Sequence, residues 1–92
     1  MNEIVICVRY FNVLADYAGT KRAAVSVPVG TTVRGLLEHL IELSPNRFRH
    51  ALGSHLRVFH NNQLVSDKSF DTPLADDDEI LLFPAVAGGR DG

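Results

Sequence analysis

Gly30-Thr31-Thr32-Val33-Arg34-Gly35-Leu36-Leu37-Glu38-His39-Leu40-Ile41-Glu42-Leu43-Ser44-Pro45 is the stretch that decides the fold. Val33, Leu36, Leu37, Leu40 and Ile41 recur at i, i+3, i+4, i+7 and i+8, the apolar stripe of an amphipathic helix. That spacing predicts a helix over 32–43, with Glu38, His39 and Glu42 on its wet side. Thr31 or Thr32 offers the N-cap oxygen, and Gly30 permits a sharp entry from the preceding segment. Pro45 disfavours helical geometry just before it and ends the helix.

The flanks of this helix read as strands. Residues 3–11 are dense in β-branched and aromatic types. Alternation puts Ile4, Ile6, Val8 and Tyr10 on one face and Val5, Cys7, Arg9 and Phe11 on the other. Apolar residues on both faces predict an interior strand. Asn12 is expected to cap a short helical turn through Val13, Leu14 and Tyr17 that ends at Gly19. Residues 22–28 form a second strand closed by Pro28. After an irregular or short helical connection at 46–54, residues 55–60 return to strand character, with Asn61-Asn62 as a turn into a short strand at 63–65. Residues 80–83 form the last strand, with Ile80 and Leu82 inward and Leu81 and Phe83 outward. One main helix on a mixed sheet of four or five strands is a two-layer α+β architecture. A hairpin, a helix crossover and later strands give a ubiquitin-like β-grasp.

Composition narrows the function. Ninety-two residues allow one small core and little room for a closed pocket. Nine basic and eleven acidic residues give a net charge of −2, which argues against a nucleic-acid or membrane-surface binder. A single cysteine excludes a disulfide framework and a multi-cysteine metal site. No apolar run nears the ~20 residues of a membrane span, and the first residues do not open a signal peptide, so a cytoplasmic location is expected.

Smaller signals are bland. Cys7 reads as a buried structural thiol within its strand. His39, His50, His55 and His60 lack metal-ligand spacing and read as scattered surface histidines. Asp76-Asp77-Asp78-Glu79 reads as a solvated turn that could steer encounters with a basic partner. No Walker or dinucleotide loop is present, so no bound cofactor is expected.

The closing residues are more informative. Ala85-Val86-Ala87-Gly88-Gly89-Arg90-Asp91-Gly92 has neither helix nor strand pattern, which divides the chain into a domain at 1–84 and a tail at 85–92. Extended, 85–89 reach about 16 Å. A thread of small residues, Ala87, Gly88 and Gly89, fits a narrow channel, where a partner could activate a glycine carboxylate.

Val8-Arg9-Tyr10-Phe11, the Val27-to-Val33 helix entry, and the closing run from Thr72 through Leu82-Phe83-Pro84-Ala85-Val86-Ala87-Gly88-Gly89 resemble the MoaD/ThiS sulfur carriers, more closely the molybdopterin-synthase small-subunit branch. The likeness spans nearly the whole chain. It implies a carrier and co-substrate rather than an enzyme. An E1-like enzyme uses ATP and Mg²⁺ to adenylate the terminal glycine, a sulfurtransferase supplies persulfide sulfur, and the resulting thiocarboxylate donates sulfur beside a molybdopterin synthase large subunit. The resemblance also implies that Phe83 faces a partner. Leu81 shares its face, while Phe11, Phe59 and Leu64 fit equally an extension of that docking patch or the core.

One departure from the family pattern stands out. Arg90-Asp91-Gly92 follows the second glycine and keeps the Gly89 carbonyl in an amide. A JAMM-type zinc metalloprotease cutting between Gly89 and Arg90 would free it. An artificial end, or a β-grasp interaction domain that is never activated, are the competing readings. A protein modifier conjugated through Gly89 would share the same activation.

Overall fold

The computed structural model describes residues 2–43, 56–66 and 68–84. Seven elements follow one another: β1 (Glu3–Tyr10), α1 (Val13–Ala18), β2 (Arg22–Pro28), α2 (Val33–Leu43), β3 (Leu56–His60), β4 (Gln63–Leu64) and β5 (Glu79–Pro84). The strands form one sheet in the order β2-β1-β5-β3-β4. β1 runs parallel to β5, and the β1–β2, β3–β5 and β3–β4 pairs are antiparallel. This is the ubiquitin-like β-grasp. The strand expected to be interior, β1, lies between β2 and β5.

Alternation builds the core. Ile4, Ile6, Val8 and Tyr10 of β1 are buried, as are Val27 of β2, Val58 of β3, and Ile80 and Leu82 of β5. The α2 stripe supplies Val33, Leu36 and Leu40, while Leu37 and Ile41 pack partly buried at its margin. Leu14 of α1 is fully buried. Each such side chain contributes about 1.5–3 kcal/mol of transfer free energy.

The helix entry uses Thr32 rather than Thr31 as the cap. Thr32 Oγ1 accepts from Gly35 N–H at 3.1 Å, whereas the Thr31 hydroxyl donates to the Pro28 carbonyl at 2.7 Å. Gly30 turns the chain with φ 94°. The other early donors of α2 are met by a distant loop: Val33 N–H donates to Thr72 O at 3.1 Å and Arg34 N–H to Phe70 O at 2.8 Å. Donors that an isolated helix leaves unpaired are thereby satisfied.

Four expectations are corrected. Asn12 occupies the α1 cap position, but its side chain makes no capping bond, and its backbone sits at φ 56°, ψ −133°. The carbonyls of Phe11 and Asn12 accept the first helical N–H groups instead. Cys7 is half-buried rather than buried, because it faces the side of the sheet away from α2. His60 is not a free surface histidine: its Nε2 lies 2.7 Å from Asp78 Oδ2, and both side chains are largely covered.

The fourth concerns the acidic run: it is a turn with Asp76 and Asp77 exposed, as expected, but the carboxylates of Asp76 and Asp78 bind the chain to itself. Asp76 Oδ1 accepts from Val5 N–H at 2.8 Å, and Asp78 accepts from Ala75 N–H at 2.8 Å and Asn61 Nδ2 at 3.0 Å. These bonds hold Asp77 at φ 69°. Burial alone would raise the Asp78 pKa, but the bonds from Ala75, Asn61 and His60, with the His60 charge, outweigh it and hold the carboxyl below its ordinary value.

His50, His55 and the expected connection at 46–54 lie outside the described residues. Among those described, no helix is long and apolar enough to cross a membrane.

Candidate docking face

Every second residue of the strands points away from α2. The registers place Arg22, Arg9, Leu81, Phe59 and Leu64 in one row across all five strands, because each is the direct partner of the next. Phe83 pairs with Arg57 in the neighbouring row. Phe11 joins Phe83 because its N–H donates to the Leu82 carbonyl at 3.1 Å, extending β1 alongside β5 by one residue.

Three aromatic rings meet on this face. Phe11 and Phe83 stack with centroids 4.2 Å apart and an interplanar angle of 11°, and Phe59 meets Phe83 edge-on at 5.5 Å and 73°. Such pairs contribute about 0.5–1.5 kcal/mol beyond area burial. The cluster is thus ordered before any partner arrives, which lowers the entropic cost of binding. It is only half-buried, and Leu64 beside it is 55% exposed. The five residues read as docking candidates, Phe11, Phe59, Leu64, Leu81 and Phe83, therefore share one face. The choice left open for Phe11, Phe59 and Leu64 falls against the core.

Sequence reasoning missed the charged rim. The Arg9 guanidinium carbon lies 5.4 Å from the Phe11 ring centroid, and Arg9 Nη1 lies 3.7 Å from Glu79 Oε2. Arg57 and Arg22 flank the same rows. The available signal was period two: Arg9 alternates with Phe11, and Arg57 with Phe59.

β5 sits between β1 and β3 and ends at Pro84, immediately after Phe83. The tail candidates Ala87, Gly88, Gly89 and Arg90 lie outside the described residues. Among the described residues no three His, Cys, Asp or Glu side chains converge to hold a metal. What this arrangement offers chemically is a preformed aromatic surface beside Pro84, where the described residues end.

Compared with known families, residues 8–89 match the ThiS family. The chain belongs to that family. A search of curated proteins found no match. Among solved structures, the ThiS-family chain is similar to the Haloferax volcanii HVO 2177 protein, with TM-score 0.83 and 25% identity, covering 96% of this chain and 89% of that one. It also resembles SAMP1 from Haloferax volcanii, with TM-score 0.75 and 27% identity over 92% of this chain and 99% of that one. A complex of subunits 1 and 2 of the molybdopterin-converting factor from Helicobacter pylori contains a chain of the same fold, with TM-score 0.66, 24% identity, and coverage of 94% and 100%.

Proposed function

We propose that this chain is a sulfur carrier whose C-terminal thiocarboxylate forms at Gly89. The observation that carries the reading is the ThiS-family match, which runs through to Gly89 and takes in the whole Gly88-Gly89 thread. The preformed aromatic face at the root of that thread supports it.

The chemistry sets the order of events. While Gly89 is amide-bonded to Arg90 it has no carboxylate, so hydrolysis of that bond comes first, by a JAMM-type protease whose zinc polarises the carbonyl and activates water. An E1-like enzyme then joins the freed carboxylate to the α-phosphate of ATP, with Mg²⁺ balancing charge, and pyrophosphate leaves. A carboxylate is a poor electrophile, whereas the acyl-adenylate has a good leaving group. A sulfurtransferase persulfide attacks the acyl carbon and AMP departs. Reduction of the acyl disulfide by a thiol leaves the thiocarboxylate on Gly89. The carrier's own part is to dock and to present: Phe83, Phe11, Phe59, Leu81 and Leu64 meet an apolar socket, and Arg9 and Arg57 meet acidic groups at its rim. A second subunit, as in the Helicobacter pylori complex, would then receive the sulfur for molybdopterin or a related metabolite.

Similarity to SAMP1, a small archaeal modifier protein, favours a second reading in which a lysine amine of a target protein attacks the same adenylate. Activation is shared and only the acceptor differs.

Intact mass of protein isolated from its native cells tests the proposal. The expected result is loss of Arg90-Asp91-Gly92, then a gain equal to replacing one oxygen by sulfur. Retention of all three residues in cells that require the sulfur transfer would sink it. Branched peptides joining Gly89 to lysine, without any thiocarboxylate, would select the modifier. Gly89→Ala in the trimmed chain should abolish ATP–pyrophosphate exchange with the E1-like partner, and unchanged exchange counts against the threading role of Gly89.

A further inference from the structure

β2 is an edge strand: among the described residues it pairs only with β1. The ladder's phase shows which groups are left over. Val29 N–H donates to Asn2 O and Tyr10 N–H to Lys21 O, each at 2.8 Å. In an antiparallel pair, hydrogen-bonded couples alternate with non-bonded ones. Ile4–Val27, Ile6–Val25 and Val8–Ala23 are therefore the bonded couples, and Ala24 and Ser26 turn both N–H and C=O away from β1. The edge is bounded at both ends: Arg22 N–H and C=O are engaged by the Thr20 hydroxyl, and the Pro28 carbonyl by Thr31. Among the described residues, what remains is a two-residue rung of unpaired backbone.

Beside this rung runs a groove between β2 and α2, about 450 Å³ in volume, lined by Val27, Thr31, Gly35, Glu38, His39 and Glu42 among others. Gly35 packs close to Thr31, since a Cβ there would come within 3.3 Å of Thr31 Cγ2. Glu38 and Glu42 stand one helical turn apart on the groove wall, and neither makes an ion pair with a described residue. Ala23 and Val25 lie half-buried on the α2 side of β2, on the same strand face as Val27 of the groove lining.

We propose that this edge binds an extended peptide from another protein as an added strand, with β-branched apolar residues over Ala23 and Val25 and basic side chains on Glu38 and Glu42. Backbone bonds to Ala24 and Ser26 supply affinity, and the groove supplies selection. The two carboxylates decide the occupant. A second copy paired through β2 would bring its own Glu38 and Glu42 against the first pair, which like-charge repulsion opposes. An acidic peptide meets the same penalty. Arg22 at the start of β2, on the face opposite α2, limits the basic residues to the helix side, so a uniformly polybasic segment fits poorly. The site lies on the far side of the sheet from the aromatic cluster and is independent of the carrier reading.

The test uses the full chain and two capped heptapeptides, Lys-Thr-Val-Thr-Val-Thr-Lys, whose valines and lysines share one face, and its counterpart with glutamate in place of both lysines. With the lysine peptide, NMR should show amide shifts and slowed exchange at Ala24 and Ser26 and shifts at Gly35, none of which the acidic peptide reproduces. Ser26→Pro removes an outward N–H without touching a β1 bond and should abolish these effects. The pair Glu38→Lys and Glu42→Lys, exposed and outside the core, should weaken binding about tenfold or more. Equal binding of the acidic peptide overturns the proposal, as does absence of any shift at millimolar peptide. Shifts confined to the aromatic face, or a peptide-free dimer that Ser26→Pro dissociates, overturn it too.

Discussion

The two faces of the sheet are made of the same kind of residue and do different work. On the α2 side Ile6, Val8, Val27, Val58, Ile80 and Leu82 are essentially inaccessible. On the opposite side Phe11, Phe59, Leu81 and Phe83 are apolar too, yet stay half-exposed with arginines around them. Within β5 the two sets alternate residue by residue. Hydrophobicity alone therefore does not say which residue is sealed into the fold and which stays half-exposed. The cover does: α2 closes one face, and among the described residues no element crosses the other.

This contrast predicts a graded series. Leu82→Ala removes a fully buried side chain, and should lower unfolding free energy by about 2–5 kcal/mol in a urea titration. Phe83→Ala, the next residue, should cost less, about 1–3 kcal/mol of stability, the scale of its two ring pairs. Its binding to the E1-like partner should fall by about 2 kcal/mol or more, read by calorimetry. If Phe83→Ala unfolds the protein as Leu82→Ala does, the two faces are one core and the contrast is broken.

Asp78 tests the seam where β3, β4 and β5 meet. Its folded pKa lies below the unfolded one, so its stabilisation is complete above the unfolded carboxylate range near pH ~4 and is lost as pH falls through the folded value. Asp78→Asn should flatten that acid limb in pH-dependent melting, and an unchanged limb would show that the hydrogen bonds do not favour the charged form. The smallest effect belongs to Arg9→Ala. Its ion pair is exposed, so stability should stay within about 1 kcal/mol of the parent, while partner association slows and loses part of its salt dependence in stopped-flow kinetics.

Much of this organisation was legible in the chain. The α2 stripe, the alternation of β1 and β5, the Asn61-Asn62 turn (φ 49° and 72°) and the left-handed Gly19 are local patterns with local causes. The outward direction of Phe83 followed from the same alternation. The roles of Asp76 and Asp78 escape the sequence because most of their partners are remote: Val5, whose N–H Asp76 accepts, is 71 residues away, and His60 and Asn61 lie 18 and 17 residues from Asp78. Phe11, Phe59 and Leu64 were undecidable alone, since only the register across five strands puts them on one face. The expectation of a buried Cys7 fails for the related reason that an interior strand still has one uncovered side.

β5 carries one more consequence, and it is mechanical. The strand is registered with four residues of β1 on one side and five of β3 on the other. The sequence runs on from Pro84 into residues 85–92. Any pull on that thread, as when a partner grips it deep in a channel and the body is drawn away, loads both ladders lengthwise. Bonds lying across the direction of force share the load together instead of opening one after another like a zip. The domain is thus anchored at the one point where a handed-over tail would be tugged.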